Sequence, residues 1–209
     1  MKKIFILLFV SASFVTATQA QFSLGVKAGL NISKEKYKNT AVYTTSSHSF
    51  FTGGIFANYG FSKHLAAELD VMHSSEGTHE SYFSGTTKVT GVVTMQRINI
   101  PLLVQYKTAF GLFAETGPQL GILLSAKGKY SNSSNTFNFK SSTQSTLFSW
   151  VVGAGYKLTK VVPGLGIEAI YAPGLSRVDK GTVNAQKITA STISIRLLYG
   201  YEFGKKGKK

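Results

Sequence analysis

The sequence predicts an all-β fold, an eight-stranded antiparallel up-and-down transmembrane β-barrel. Three observations point there. Apolar and polar residues alternate along eight separate segments. The connections between those segments are long and short in turn. Charged residues within the segments share a face opposite the apolar one, and aromatic residues gather at the segment ends.

The first segment, "FSLGVKAGLNI", sets Phe22, Leu24, Val26, Ala28, Leu30 and Ile32 against Ser23, Gly25, Lys27, Gly29 and Asn31. Side chains two apart on a strand share a face, so one side is oily and the other polar. The second segment has Phe51, Gly53, Ile55, Ala57 and Tyr59 on its apolar face. Leu65, Ala67, Leu69 and Val71 form that of the third, opposite Ala66, Glu68 and Asp70. In the fourth, Ile98, Ile100, Leu102, Val104 and Tyr106 oppose Arg97, Asn99, Pro101 and Gln105. The fifth sets Leu112, Ala114, Thr116, Pro118, Leu120 and Ile122 against Glu115, Gly117, Gln119 and Gly121. Phe148, Trp150, Val152, Ala154 and Tyr156 define the sixth, and Leu165, Ile167, Ala169 and Tyr171 the seventh, opposite Glu168. The eighth sets Ile193, Ile195, Leu197, Tyr199, Tyr201 and Phe203 against Ser194, Arg196, Gly200 and Glu202. Most segments run about 9–11 residues, enough for a tilted strand to cross a bilayer.

Long connections are expected at roughly 33 to 48, 76 to 93 and 125 to 146, and again before the eighth segment. Short ones, "GFSKH", "KTAF" and "KLTKVVPG", fall between them. This segregation is the pattern of outer-membrane barrels, with short turns in the periplasm and long loops outside.

Charge placement agrees. Lys27, Glu68, Asp70, Arg97, Glu115, Glu168, Arg196 and Glu202 all lie opposite the apolar series. A basic side chain facing lipid at mid-bilayer costs roughly 2–4 kcal/mol. These eight are expected to form a paired polar network in the lumen, with interior glycines such as Gly25, Gly29, Gly121 and Gly153 making room for them. Hydrocarbon leaves no unpaired sheet edge, so the strands must close, and an eight-stranded cylinder is narrow enough for its own side chains to fill. A periplasmic girdle of Phe22, Tyr59, Phe61, Tyr106, Phe110, Tyr156, Tyr201 and Phe203 is expected, since amphipathic rings favour the interface between lipid and water. Phe51, Phe148, Trp150 and Tyr171 fall toward the other end. A soluble lipocalin-like barrel would invert the two faces.

Residues 1–20 read as a cleaved signal peptide: basic "MKK", apolar "IFILLFV", then "TQA". The barrel is expected over residues 21–204, with both mature ends in the periplasm, and a basic tail over residues 205–209. The formal net charge of +14 does not indicate nucleic acid. Six of the 23 bases sit at the two extreme ends, leaving 17 against 9 acids, mostly in loops. Cysteine is absent, and the four histidines show no metal-ligand spacing, so no metal or cofactor is expected.

Read in order, these stretches resemble a known group. "FSLGVKAGLNIS" after an "AQ" site, "GFSKHLAAELDVMHS", "INIPLLVQYK", "GLFAETGPQLGILLSAK", "VVGAGYKL", "LGIEAIYAPGLSRV" and "ISIRLLYGYEF" are similar to successive strands of the outer-membrane β-barrel family, porin-like or PorT-like, of Bacteroidota. The resemblance implies an integral outer-membrane barrel with no agreed catalytic residues. The closing "GKKGKK" departs from the pattern, in which the assembly signal ends on the aromatic; it is either a native extension or a cloning remnant.

A catalytic reading is weighed on His73, Ser74 and Ser75 at the rim of the third strand, with His79 and Glu80 beyond. Hydroxyls abound in these loops, and polar rim residues are the simpler account. His48 and His64 stand alone, "GLGIEA" and "GAGYKL" lack a strand-to-helix context, and Asp179, Lys180 and Gly181 make a loop tip. No catalytic residue is therefore assigned. The expected role is structural or surface interaction, as a monomer. Its partners would be outer-membrane lipids and lipopolysaccharide, met by Lys34, Lys36, Lys38, Lys127 and Lys129, and extracellular ligands held by the long loops. A narrow pore for small solutes is the alternative, and an outer-membrane lipid hydrolase a third reading.

Overall fold

Strand follows strand along the described chain, interrupted by a single 3-10 turn at Lys140–Ser142. The computed structural model describes residues 21–37, 44–84, 86–133, 135–158, 161–178 and 188–203. The signal segment 1–20, Lys38, the tip Asp179, Lys180 and Gly181, and the tail 205–209 lie outside the described residues, as do the side chains of Lys34, Lys36, His48 and Glu80. The strands are β1 (Gln21–Tyr37), β2 (Thr44–Gly60), β3 (Leu65–Ser84), β4 (Thr87–Lys107), β5 (Leu112–Tyr130), β6 (Thr136–Asn138), β7 (Thr146–Lys157), β8 (Leu165–Pro173) and β9 (Ile188–Phe203). No helix among the described residues is long and apolar enough to cross a membrane.

Eight strands form a ring, all neighbours antiparallel. The order is β4-β3-β2-β1-β9-β8-β7-β5, and β4 pairs with β5 to close it. β6 pairs only with β5 and lies outside the ring. The first and last strands are joined from Phe22↔Phe203 to Tyr37↔Ile188. Backbone groups are thus paired around the circumference, as hydrocarbon demands. Both strand termini and the short turns share one end of the cylinder, and the long hairpins rise from the other.

The faces follow the alternation. Leu24, Leu30, Ile55, Leu102, Val152, Ile195 and Leu197 are exposed on the outside. Lys27, Glu68, Asp70, Arg97, Glu115, Glu168 and Arg196 are buried inside. Phe22, Tyr59, Phe61, Tyr106, Phe110, Tyr156, Tyr201 and Phe203 are exposed around the short-turn end. Within this ring Phe22 meets Phe203 at 5.9 Å and Tyr201 meets Phe203 at 5.0 Å between centroids.

Two expectations need correction. Several strands far exceed 9–11 residues, since β3 has 20 and β4 has 21. The stretch 76 to 93, expected as a loop, is instead the upper part of the β3–β4 hairpin, paired as far as Ser84↔Thr87. Likewise β1 continues to Tyr37 and β5 to Tyr130. Beyond the membrane, Ser, Thr and Gly keep extended backbone because a neighbouring strand supplies the ladder. Parity also changes along β5, beyond the stretch whose faces the alternation set. The β4–β5 register shifts between Gln96↔Ser125 and Arg97↔Leu123, leaving Leu124 as an extra residue. This bulge exchanges the faces of β5. Leu123 is buried and Leu124 exposed, yet Ala126 is buried again.

Candidate functional site

The lumen is the site, and inward side chains fill it in successive levels. Along β4 they run Val93, Met95, Arg97, Asn99, Pro101, Leu103, Gln105 and Lys107, from the hairpin end to the short-turn end. The levels alternate in polarity.

Uppermost is an apolar cap of Val93, Met95, Leu123, Ala126, Leu147 and Val178, with Phe139 packed against it. Val178 follows β8 and is held there by Gln144, whose N–H donates to its carbonyl at 2.7 Å. Beneath lies a polar level. Arg97 pairs with Glu76 at 3.3 Å, and Asn99 and Ser74 donate to the same carboxylate at 2.8 and 2.9 Å. Ser194 donates to Asn31 at 2.6 Å, and Asn31 donates to Ser74 at 2.7 Å. Leu103, Val151, Ile170 and Ala172 make the next, apolar, level.

The main charge cluster centres on Lys27. Its Nζ donates to Glu68 Oε1 at 2.6 Å and Asp70 Oδ2 at 3.0 Å, and pairs with Glu168 Oε2 at 3.2 Å. Arg196 Nε pairs with Glu168 Oε1 at 2.6 Å. The Phe56 ring lies 5.2 Å from the ammonium, within cation–π reach. Four strands thus converge on one ammonium: β1 carries it, β3 brings two carboxylates, β8 one, and β2 the ring. Charges this deep persist only when paired and hydrogen-bonded. Asn58 Nδ2 donates to Glu68 at 2.9 Å and to Gln105 at 2.7 Å, and Gln105 donates to Glu115 at 2.7 Å.

The eight expected lumen residues therefore occupy three places. Lys27, Glu68, Asp70, Glu168 and Arg196 are ion-paired together, and Glu115 joins them through Gln105 and Asn58. Arg97 stands apart with Glu76. Glu202 sits at the short-turn mouth, half-buried, 3.4 Å from Lys157. Sequence reasoning missed Glu76, Asn58, Lys107 and Lys157 as members of this interior. Strand parity could have found them: Glu76 continues the face of Glu68 and Asp70, and Asn58 lies opposite Ala57 and Tyr59.

Interior glycines serve two purposes, where one was expected. Added Cβ atoms at Gly29, Gly121 and Gly153 would press on Arg196, Asn99 and Glu115. At Gly25, Gly155 and Gly200 they would meet the rings of Phe56 or Phe113. Phe56, Phe113 and Leu198 form an inward apolar cluster of their own.

Glu68, Glu115 and Glu168 each bring a carboxylate oxygen within 4.8 Å of the others. That spacing suits a cation, and the Lys27 ammonium already bonds two of the three. His73 and Ser74 lie on opposite faces of β3. Ser74 is buried and bonded to Asn31 and Glu76. Within the lumen, one small cavity borders Asn31, Glu76 and Arg196 and another borders Phe56, Glu68 and Gln105, each about 20 Å³. That is room for about one water apiece.

A closed strand cylinder with an apolar exterior and a polar, side-chain-filled interior defines a transmembrane β-barrel. Residues 16–180 match the outer membrane protein beta-barrel domain family, and the chain belongs to it. The outer membrane is therefore its location. Among solved structures, the outer membrane protein OprG from Pseudomonas aeruginosa is similar at a TM-score of 0.51 and 13% identity, covering 88% of this chain and 96% of its own. Ail, the attachment invasion locus protein of Yersinia pestis, gives 0.49 and 13%, covering 86% and 98%. No curated protein sequence matches the chain.

Proposed function

We propose that this protein is a monomeric, closed outer-membrane barrel with a structural and surface-interaction role, and not an enzyme. The observation that carries this reading is the filled lumen: an apolar cap, the Arg97–Glu76 level and the Lys27 cluster follow one another along the axis. In this reading residues 1–20 direct export, the short turns and both mature ends face the periplasm, and the long hairpins face outward. The likeness to the PorT-like barrels of Bacteroidota adds a family context.

Outward from the membrane, Lys88 of β4 and Lys127 and Lys129 of β5 are exposed on the extended outer ends of these two strands. Their ammonium groups suit the phosphates of lipopolysaccharide. Salt-sensitive lipopolysaccharide binding that weakens in a Lys127→Gln, Lys129→Gln variant would support this partner.

Purified protein in planar bilayers is expected to give no discrete current steps. Reproducible single-channel steps would replace the closed reading with the narrow pore. An unchanged lipid A mass spectrum in cells with and without the protein is expected. Ser74 supports that expectation, since it is buried in the lumen, bonded to Asn31 and Glu76, on the face opposite His73.

A further inference from the structure

The short-turn end carries a basic depression at the mouth of the lumen, beyond the Lys27 cluster. A cavity of about 530 Å³ opens there beside the β4–β5 turn. Lys63, Lys107 and Lys157 line it, with Glu202 the one carboxylate. A neighbouring cavity of about 250 Å³ shares Lys63, Lys107 and Glu202. Among the described residues, only Lys157 of the three has a carboxylate within 4 Å, that of Glu202 at 3.4 Å. Lys107 Nζ donates to Asn58 Oδ1 at 2.7 Å, which orients the ammonium and leaves two of its three N–H donors for a ligand.

The rest of the lining has a different character. Phe110, Leu112 and Tyr156 border the same cavity, and all three are exposed at the lipid-facing rim. One depression thus joins a cluster of ammonium donors to the apolar girdle. Gly111 shapes that junction: with φ +103° it turns the chain between Phe110 and Leu112.

We infer that this mouth is a binding site for the phosphate of an anionic membrane lipid. Its headgroup would be held by Lys63, Lys107 and Lys157 and its acyl chains would lie along Phe110, Leu112 and Tyr156. Phosphate offers several acceptor oxygens to converging N–H donors, which suits ammonium groups carried on different strands. Free phosphate would satisfy the lysines but leave the apolar part of the site without purpose. The assignment of this lipid to the periplasmic leaflet rests on the orientation proposed above; the site itself does not.

The test uses the full mature barrel in neutral detergent, with short-chain phosphatidylglycerol, short-chain diacylglycerol and inorganic phosphate as probes, followed by calorimetry and native mass spectrometry. Phosphatidylglycerol is expected to bind most tightly. A Lys63→Gln, Lys107→Gln variant is expected to lose about tenfold or more in affinity. The outer-hairpin variant Lys127→Gln, Lys129→Gln is expected to keep it. Heat-modifiable gel migration verifies that each variant is folded; Lys63→Gln alone, on an exposed turn, serves if the double variant is not. Equal affinity of wild type and the mouth variant would overturn the site. Inorganic phosphate binding as tightly as the lipid, or diacylglycerol as tightly as phosphatidylglycerol, would overturn the lipid assignment. Bilayer conductance reads the closed lumen separately, so either proposal can fail alone.

Discussion

Lys27 on β1 donates a 2.6 Å hydrogen bond to Glu68 on β3, reaching across the lumen past β2. The two strands do not pair with each other, so this contact exists only because the sheet curls into a cylinder. It ties barrel closure to charge neutralisation.

Lys27→Met removes the ammonium and leaves Glu68, Asp70 and Glu168 facing one another in a buried site. Breaking a buried ion pair by removing one partner costs about 3–5 kcal/mol. Urea unfolding in lipid vesicles, followed by the single tryptophan Trp150, should show a loss of that order. Adding Glu68→Gln to Lys27→Met should recover part of it, because the two share one network. A loss under about 1 kcal/mol would mean that the cluster is not needed for stability.

Glu115→Gln should behave differently. In the central cluster four carboxylates, Glu68, Asp70, Glu115 and Glu168, face two bases, Lys27 and Arg196. Glu115 Oε1 has no hydrogen-bond partner among the described residues, while its other oxygen accepts from Gln105. An amide keeps an acceptor for Gln105 and removes one excess charge. Stability within about 1 kcal/mol of wild type, or higher, is expected. Glu168→Gln loses pairs to both Lys27 and Arg196 and should cost about 2 kcal/mol or more in the same assay.

Gly200→Ala tests the inward aromatic packing. A Cβ there would stand 2.7 Å from Phe56 Cζ. Overpacking of this kind costs about 1–3 kcal/mol. Phe56→Leu removes the obstructing ring edge, so the double variant should unfold at higher urea than Gly200→Ala alone. The same order of stabilities in both backgrounds would contradict the contact.

Ile195→Arg tests the outer face. Ile195 is 51% exposed on β9, between Leu30 of β1 and Ala169 of β8. An arginine at mid-bilayer costs roughly 2–4 kcal/mol. Unfolding in vesicles should register that loss, whereas Ile195→Leu should change little. An innocuous arginine would place Ile195 outside the hydrocarbon.

Strand parity made much of the lumen legible in advance. Lys27, Glu68 and Arg196 each lie opposite a clear apolar series, so their inward direction follows from the residue count alone. Glu76 escaped because it follows "HSS", a stretch whose polar letters resemble a loop, although its parity matches Asp70. Phe56 and Phe113 escaped for the opposite reason. Parity places them inside, but an aromatic in a charged lumen has no rationale until Gly25, Gly155 and Gly200 are seen to leave space for the rings. The β5 bulge at Leu124 leaves no local mark, since Ile122, Leu123 and Leu124 are all apolar.

The sequence by itself determined which side chains meet lipid and which turn inward, because a strand's period of two is a local property of the backbone. It also determined that the strands must close, because unpaired backbone is too costly in hydrocarbon. Only the tertiary structure decided that Lys27 pairs with Glu68, Asp70 and Glu168 while Arg97 takes Glu76. Those choices depend on the stagger and tilt with which distant strands meet, and no local pattern encodes them. The joining of three lysines to the aromatic rim at the short-turn mouth was settled at the same level, because it takes two turns and two strand ends that become neighbours only when the cylinder closes.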